Sequence, residues 1–202
     1  MNLEQLKIQY IEGIYRTKSL LIQENCFTLQ SGKKSHIYLN HRHFLSNSGY
    51  LSLVATLYHE LTRNLSSNYV LGAVESIMSP VIVGAMSVLF QKDFVAIQKK
   101  PMTHGTQDTI YGDIKNEVLL VDDMTSTGDT LIEAARKIRA NGGAVNYAVI
   151  SAYREETALY NLQSHAITPL CIASFEEIIT QLFPTLTSRE QAIVQQHPLI
   201  ID

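Results

Sequence analysis

Short apolar segments alternate with helix-like segments along most of the chain. The apolar runs predict strands at 69–74, 94–98, 117–122, 144–150 and 166–173. Helical spacing predicts helices at 80–91, 127–140 and 174–182. Continuous apolar runs separated by helices are typical of a parallel sheet that is covered on both faces. The pattern therefore predicts an α/β fold with a central parallel sheet.

The N-terminal part of the chain has a different pattern. Apolar residues at near-helical spacing predict an amphipathic helix at 2–15, and a second helix is predicted at 49–65. The stretch CFTLQSGKKSHIYLN at 26–40 predicts two short strands joined by a tight turn at Ser31-Gly32. Because no repeat or linker interrupts the chain, we expect one domain over residues 1–202, with an N-terminal helix and strands at about 1–45 and an α/β core at about 46–202.

Composition narrows the class of protein. A chain of 202 residues with 46% apolar and 17% charged residues can bury a sizeable core. The net charge of -3 argues against a nucleic-acid-binding surface. The longest apolar run, at 81–90, is far shorter than the ~20 residues of a membrane helix, and the charged N-terminal residues argue against a signal peptide. Two cysteines without metal-ligand spacing, Cys26 and Cys171, favour a reduced, cytoplasmic enzyme without a membrane partner.

The candidate chemistry is concentrated in the string VLLVDDMTSTGDT at 118–130. In an open parallel sheet, ligands bind at the carboxyl ends of the strands, where Asp122 and Asp123 are predicted to lie. The turn at 125–130 leads into a helix, so its backbone N–H groups, the helix dipole and the hydroxyls can cradle a phosphate. Gly128 allows the backbone to approach closely. The two carboxylates suit sugar hydroxyls or a magnesium ion held through water, so the string predicts a site for a phosphate beside a ribose.

The whole string resembles the 5-phosphoribosyl 1-pyrophosphate (PRPP) motif of type I phosphoribosyltransferases. Four further segments resemble the orotate phosphoribosyltransferases among them, in order along the chain. They are the N-terminal signature FTLQSGKKSHIYLN at 27–40, the pyrophosphate loop GAVESIMSP at 72–80, the mobile catalytic loop KKPMTHGT at 99–106 and the strand end SAYREETA at 151–158. The resemblance extends from about residue 20 to about residue 160.

The resemblance implies a type I phosphoribosyltransferase fold, in which a small N-terminal hood lies over the parallel sheet. It also implies a base exchange, in which a ring nitrogen of orotate displaces pyrophosphate from PRPP and gives orotidine 5′-monophosphate. No protein nucleophile is needed, because the enzyme positions the reactants and stabilises charge. The implied cofactor is Mg²⁺, held by PRPP and water near Asp122 and Asp123. The implied assembly is a homodimer in which the loop at 99–115 reaches the neighbouring site.

The resemblance also assigns roles to individual residues. It implies catalytic roles for Lys99, His104, Asp122 and Asp123. PRPP binding falls to Lys99, Lys100, His104, Asp122, Asp123, Met124, Thr125, Ser126, Thr127, Gly128, Asp129 and Thr130. Orotate binding falls to Ser126 and Arg154, because a guanidinium fork can bind both oxygens of a planar carboxylate.

Several charged positions of the family are replaced in this chain. The replacements are Gln23 before the signature, Ile77 in the pyrophosphate loop, Gln98 and Met102 around the catalytic loop, and Tyr153 before the strand-end arginine. Loss of one preorganised electrostatic contact costs ~10²–10³ in rate. Three alternatives therefore stay open: an active orotate phosphoribosyltransferase, a non-catalytic nucleotide-binding paralogue, and a transferase for another base.

Three histidines, His36, His41 and His43, offer a competing interpretation as metal ligands. On a strand, positions 41 and 43 would share one face. No carboxylate or cysteine lies near them in sequence to complete a ligand set, so we do not expect a metal site there.

Overall fold

The computed structural model describes residues 2–29, 32–65, 68–100 and 108–197. Its helices are α1 (Leu3–Arg16), α2 (His41–Leu45), α3 (Ser48–Thr62), α4 (Ser79–Phe90), α5 (Asp129–Ala140), α6 (Glu156–Ser164), α7 (Phe175–Leu182) and α8 (Ser188–Gln196). Its strands are β1 (Leu20–Thr28), β2 (Lys34–Leu39), β3 (Tyr69–Val74), β4 (Phe94–Ile97), β5 (Ile110–Tyr111), β6 (Glu117–Thr125), β7 (Tyr147–Tyr153) and β8 (Thr168–Ser174).

The main sheet has the strand order β5-β4-β3-β6-β7-β8. Strands β4, β3, β6, β7 and β8 run parallel to one another, and the short edge strand β5 pairs antiparallel with β4. Strands β1 and β2 form a separate antiparallel hairpin, the hood. The predicted α/β fold with a central parallel sheet is therefore confirmed.

The continuous apolar runs arise because both faces of the sheet are buried. Along β6, Val118 and Leu120 pack into an apolar cluster with α5 and α6, whereas Leu119 and Val121 pack into a second cluster with α1, α3, α4 and α7. Side chains of a strand alternate between its faces, so a strand between two helical layers needs apolar residues at every position. Gly72 of β3 allows close packing here, because a Cβ would lie 2.7 Å from Cγ1 of Val118.

Several segments differ from the sequence-based predictions, among them helices α2 and α8, which are not predicted. Strand β6 continues to Thr125, beyond the predicted end at residue 122, because β7 runs beside it as far as Tyr153, so Asp123 also lies within the strand. Helix α6 between β7 and β8 is not predicted, because it buries only Ala158 and Leu162 and its apolar periodicity is weak. The loop at 99–115 contains strand β5, which pairs with β4.

The hood differs in extent from its prediction. Strand β1 begins at Leu20, well before Cys26, and a register shift between Ile22 and Phe27 interrupts its pairing with β2. Gly32 adopts φ +84 in the connection, where the Gly32 amide donates to the Leu29 carbonyl at 2.9 Å. Ser31, the other residue of the predicted turn, lies outside the described residues.

Two observations concern the environment of the protein. Within the ranges given above, no helix combines the length and apolarity needed to cross a membrane. Cys26 and Cys171 both carry free thiols.

Candidate active site

A cavity of about 480 Å³ opens where the carboxyl ends of the parallel strands meet the hood. Its walls include Thr28, Leu29, Tyr38, Leu39, His41, Arg42, Ser76, Ile77, Met78, Lys99, Asp122, Asp123, Met124, Thr125, Ser126, Thr127, Asp129, Thr130 and Arg154. The cavity therefore lies at the sheet edge where ligands of open parallel sheets bind.

Most of the predicted site residues line this one cavity. They are Lys99, Asp122, Asp123, Met124, Thr125, Ser126, Thr127, Asp129, Thr130 and Arg154. Gly128 is buried within the same turn, and Lys100 is exposed and does not line the cavity. His104 and Met102 lie outside the described residues.

The turn between β6 and α5 is held in place by its own hydroxyls and by α6. The Thr125 hydroxyl accepts a hydrogen bond from the Gly128 amide at 2.9 Å, and the Asn161 side chain donates to the Thr127 carbonyl at 3.1 Å. Gly128 adopts φ +86, where a Cβ would lie 3.1 Å from Cγ of Leu162. Glycine is thus required both by the backbone conformation and by packing.

Helix α5 starts at this turn without a capping side chain. Its N-cap is Gly128, whereas α1 starts with a capping box between Asn2 and Gln5. The first N–H groups of a helix lack partners within the helix, and the dipole there favours an anion. The start of α5 at the cavity wall is therefore suited to a phosphate.

The two aspartates have different environments. Asp122 is buried; its carboxylate accepts from the Ser76 hydroxyl at 3.3 Å and from the Asp123 amide at 3.0 Å. Burial, and then the charge of Asp123, raise the pKa of Asp122 to about 8. The Tyr58 hydroxyl fixes the backbone by donating to the Asp122 carbonyl at 2.6 Å. Asp123 is the carboxylate that faces the cavity, with its side chain 17% exposed.

His41 contacts Asp123 from the hood side. It begins α2, so it does not share a strand face with His43; His41 is buried and His43 is exposed. Its Nδ1 lies 3.4 Å from Oδ2 of Asp123, and its Nε2 lies 3.0 Å from the Tyr10 hydroxyl. Across the described part of the chain, no group of three metal-ligating side chains occurs.

Arg154 lines the cavity beside the turn at 125–130, the phosphate turn. Its guanidinium donates to Oγ of Ser35 at 3.4 Å and to the Ile37 carbonyl at 3.3 Å, and it stacks on the Phe175 ring at 3.9 Å. Burial lowers the pKa of Arg154 to about 10, which leaves it charged at neutral pH. Its amide donates to the Thr125 carbonyl at 3.2 Å, which joins Arg154 to the phosphate turn. The result is a fixed, planar cation beside the phosphate turn.

Among the described residues, the remaining wall contains few cations. Lys99 lines the cavity, and its amide donates to the Glu75 carboxylate. Lys137 lies behind this wall and donates from Nζ to the carbonyls of Gln98 at 2.7 Å and Lys99 at 2.5 Å. Ile77, at the position of the pyrophosphate-loop replacement, is 60% exposed at the cavity. This wall therefore presents an apolar side chain where a polyanion would need positive charge.

Sequence reasoning assigned no site role to several lining residues, among them His41, Arg42 and Ser76. Arg42 is an exposed cation on α2, a five-residue helix that is too short to give a periodic pattern. Ser76 lies in the segment matched to the pyrophosphate loop, but its bond to Asp122 joins residues 46 positions apart. Such contacts exist only once the sheet has formed.

Curated proteins of similar sequence include orotate phosphoribosyltransferases. The chain is 32% identical to an orotate phosphoribosyltransferase of Methanocaldococcus jannaschii over 75% of this chain and 86% of that protein. It is also 32% identical to an orotate phosphoribosyltransferase of Pyrococcus horikoshii, over 77% of this chain and 89% of the relative. No protein-family model matches the chain.

Solved structures share the fold. An orotate phosphoribosyltransferase of Aeropyrum pernix superposes with a TM-score of 0.74 at 22% identity, over 85% of this chain and 97% of that one. A Leishmania donovani UMP synthase gives a TM-score of 0.78 at 22% identity over 94% of this chain. This chain spans 41% of that longer protein. A Mycobacterium tuberculosis orotate phosphoribosyltransferase in complex with PRPP gives a TM-score of 0.68 at 16% identity, over 86% of this chain and 98% of that one.

Proposed function

Because the chain belongs to the orotate phosphoribosyltransferase family, we propose that it transfers the phosphoribosyl group of PRPP to orotate. The products are orotidine 5′-monophosphate and pyrophosphate, in pyrimidine biosynthesis. The observation that carries the proposal is the arrangement of the phosphate turn, Asp123 and Arg154 around one cavity. A structural relative whose structure contains PRPP supports PRPP as the substrate.

In the proposed reaction, the ring nitrogen forms a bond to the anomeric carbon while the bond from that carbon to pyrophosphate breaks, and the proton of the ring N–H passes to the departing pyrophosphate. The 5′-phosphate binds the amides at the start of α5 and the hydroxyls of the phosphate turn. Asp123 binds the ribose hydroxyls, because its carboxylate faces the cavity. These contacts fix the ribose before reaction, and fixing two reactants in one geometry supplies much of such a rate enhancement.

Orotate binds between the phosphate turn and Arg154. The guanidinium is already fixed by Ser35, Ile37 and Phe175, so little side-chain entropy is lost when it binds a carboxylate. A charge-assisted, two-point contact favours a base with a carboxylate over one without it. Arg154 therefore supports orotate over a purine.

Mg²⁺ is the proposed cofactor, held by PRPP oxygens and water near Asp122 and Asp123. The residues fit this arrangement, because Mg²⁺ at phosphate sites keeps several waters and uses one or two carboxylates. When bound, it supplies positive charge to the diphosphate. The chain itself contributes Lys99 at the cavity wall, with Lys100 and His104 assigned by the resemblance.

We also propose a homodimer in which the loop at 99–115 reaches the neighbouring cavity. The supporting observation is an apolar outer surface on α4 and β4. Val88 is 81% exposed, Leu89 50% and Phe94 51%. A second copy of the chain would cover these exposed apolar side chains. Cytoplasmic location stays a prediction.

A mixing assay tests the proposed function. The protein is combined with Mg²⁺, PRPP and orotate, and loss of orotate absorbance is measured together with pyrophosphate release. Parallel reactions contain uracil, adenine or hypoxanthine instead of orotate. Orotate-dependent release is the expected result. Release with another base alone would indicate a different transferase, and PRPP binding without release from any base would indicate a non-catalytic paralogue.

A further inference from the structure

His41 has an environment that the proposed reaction does not explain. Its side chain is 1% exposed, yet it lines the cavity. Its ring is held by Phe44, with ring centroids 5.4 Å apart, and by the edge of Tyr10 at 5.8 Å. Nδ1 is buried without a hydrogen-bond partner and lies 3.4 Å from Oδ2 of Asp123. A buried polar atom without a partner is costly, and such atoms in native structures often have a functional explanation.

The surroundings of the ring indicate which nitrogen carries hydrogen. Nε2 lies 3.0 Å from the Tyr10 hydroxyl, which is fully buried. Burial, and then the charge of Asp123, raise the pKa of Tyr10, so its O–H keeps its proton and can donate to Nε2. A bare Nδ1 would set a lone pair against the Asp123 carboxylate. The arrangement therefore favours hydrogen on Nδ1, directed at Oδ2 of Asp123.

We propose that His41 is a positioning residue: its Nδ1–H holds Oδ2 of Asp123 and so directs the other carboxylate oxygen at the ribose hydroxyls. The inference rests on the proposed function, because it assumes a phosphoribosyl ligand. Distances between catalytic groups are often long without substrate and shorten in the complex, so the 3.4 Å separation closes to a hydrogen bond when the ribose binds. Tyr10, His41 and Asp123 then form a chain from the core to the substrate.

A purely structural role for His41 makes a different prediction. In that case the ring serves only to fill space beside Phe44 and Tyr10, and its replacement would lower stability without changing the affinity for PRPP. Two substitutions separate the roles. His41→Leu fills a similar space without a donor, whereas His41→Asn places an amide N–H near the position of Nδ1.

The experiment measures the dissociation constant of PRPP with Mg²⁺ by calorimetry, and KM for PRPP and for orotate separately. His41→Leu is expected to weaken PRPP binding about 10-fold, within the range of coupling between contacting residues. His41→Asn is expected to recover most of that loss, and KM for orotate is expected to stay within about 2-fold. Unchanged PRPP affinity in His41→Leu, or an equal rise in KM for orotate, would overturn the proposal.

A double-mutant cycle with Asp123→Asn tests whether His41 acts through that carboxylate. Because the partner is then altered, adding His41→Leu is expected to change PRPP affinity by less than about 2-fold. The same loss in both backgrounds would overturn the proposal. If His41→Leu does not fold, Tyr10→Phe takes its place, with an expected loss of about 3-fold because Nε2 loses its donor and the tautomer is no longer fixed.

Failure of the proposed function would look different. A wild-type protein that binds PRPP but gives no product with orotate contradicts the proposed reaction, while the binding measurements still decide the role of His41. Ribose 5-phosphate serves as a second probe, because it contains the hydroxyls and the 5-phosphate without the diphosphate. The His41→Leu effect is expected to be present with both ligands.

Discussion

The phosphate turn at 125–130 and the wall around Glu75, Ile77 and Lys99, the pyrophosphate wall, belong to the same cavity but differ in how they are built. The turn is braced by Thr125 and Asn161 and is followed by a helix start suited to an anion. The pyrophosphate wall has an apolar side chain at the cavity and, among the described residues, few cations. The difference indicates that holding the nucleotide and releasing the diphosphate are separable properties, and that the chain is equipped mainly for the first.

The largest expected effect follows from damage to the phosphate turn and its neighbouring carboxylate. Asp123→Asn combined with Thr127→Ala should lower kcat/KM at least ~10³-fold, because two preorganised contacts are lost. Stabilisation by PRPP or orotidine monophosphate in thermal melts should disappear, since it depends on binding. Asp93→Asn with Thr56→Ala, away from the cavity, is the matched control. Undiminished stabilisation in the site variant would rule out this binding site.

The second prediction concerns Arg154, the proposed contact for the orotate carboxylate. Arg154→Met should lower kcat/KM for orotate ~100-fold, because a fixed cation for the carboxylate is removed. PRPP binding should change little. Arg154→Lys should recover only part of the loss, since an ammonium group lacks the planar fork. Arg189→Met, which removes a surface ion pair with Glu24, controls for loss of charge. Equal effects of Arg154→Met on PRPP and orotate would contradict the assignment of Arg154 to the base.

Restoring positive charge at the family positions that carry Gln98 and Met102 should narrow the difference between the two regions. Gln98→Arg combined with Met102→Lys should raise kcat at least ~10-fold, because added cations stabilise the departing diphosphate in the transition state. Affinity for orotidine monophosphate should barely change, which separates this effect from better binding. Brisk turnover by the wild type, with no gain in the double variant, would mean that other groups already stabilise the leaving group.

The last prediction concerns stability and not activity. The pKa of Asp122 is raised by burial, so folding favours its protonated form, and this contribution to stability is lost as pH rises from about 4 towards 8. Asp122→Asn should remove that dependence. Its free energy of unfolding relative to wild type should rise by at most about 1.4 kcal/mol per pH unit across this range and converge with wild type near pH 4.

Denaturant unfolding at several pH values measures this difference. Asp113→Asn is a control of opposite sign, because hydrogen bonding from the Lys115 amide lowers the pKa of that exposed carboxyl. The same pH dependence in wild type and Asp122→Asn would show that Asp122 is ionised in the folded protein.

The sequence predicted the features that depend on local pattern. The parallel strands follow from apolar runs, and the phosphate turn follows from one contiguous string, so both could be located without a structure. Helix α6 was missed because its outer face is polar and it buries only Ala158 and Leu162. His41 was considered only as a metal ligand on a strand, since its contacts with Tyr10 and Asp123 join residues 31 and 82 positions apart and depend on tertiary packing.

The pairing of β4 with β5 has a consequence for the assembly. Ile97 pairs with Ile110, and the Gln98 amide donates to the Thr109 carbonyl at 2.8 Å, so the segment that carries His104 is tethered at both ends. His104 is five residues from either Lys99 or Thr109. A fully extended chain spans at most about 3.6 Å per residue, so five residues span at most about 18 Å. In the proposed homodimer, the neighbouring cavity must therefore lie within the length of chain between the two tethers. Chain length alone excludes arrangements of the two copies that place this cavity farther away.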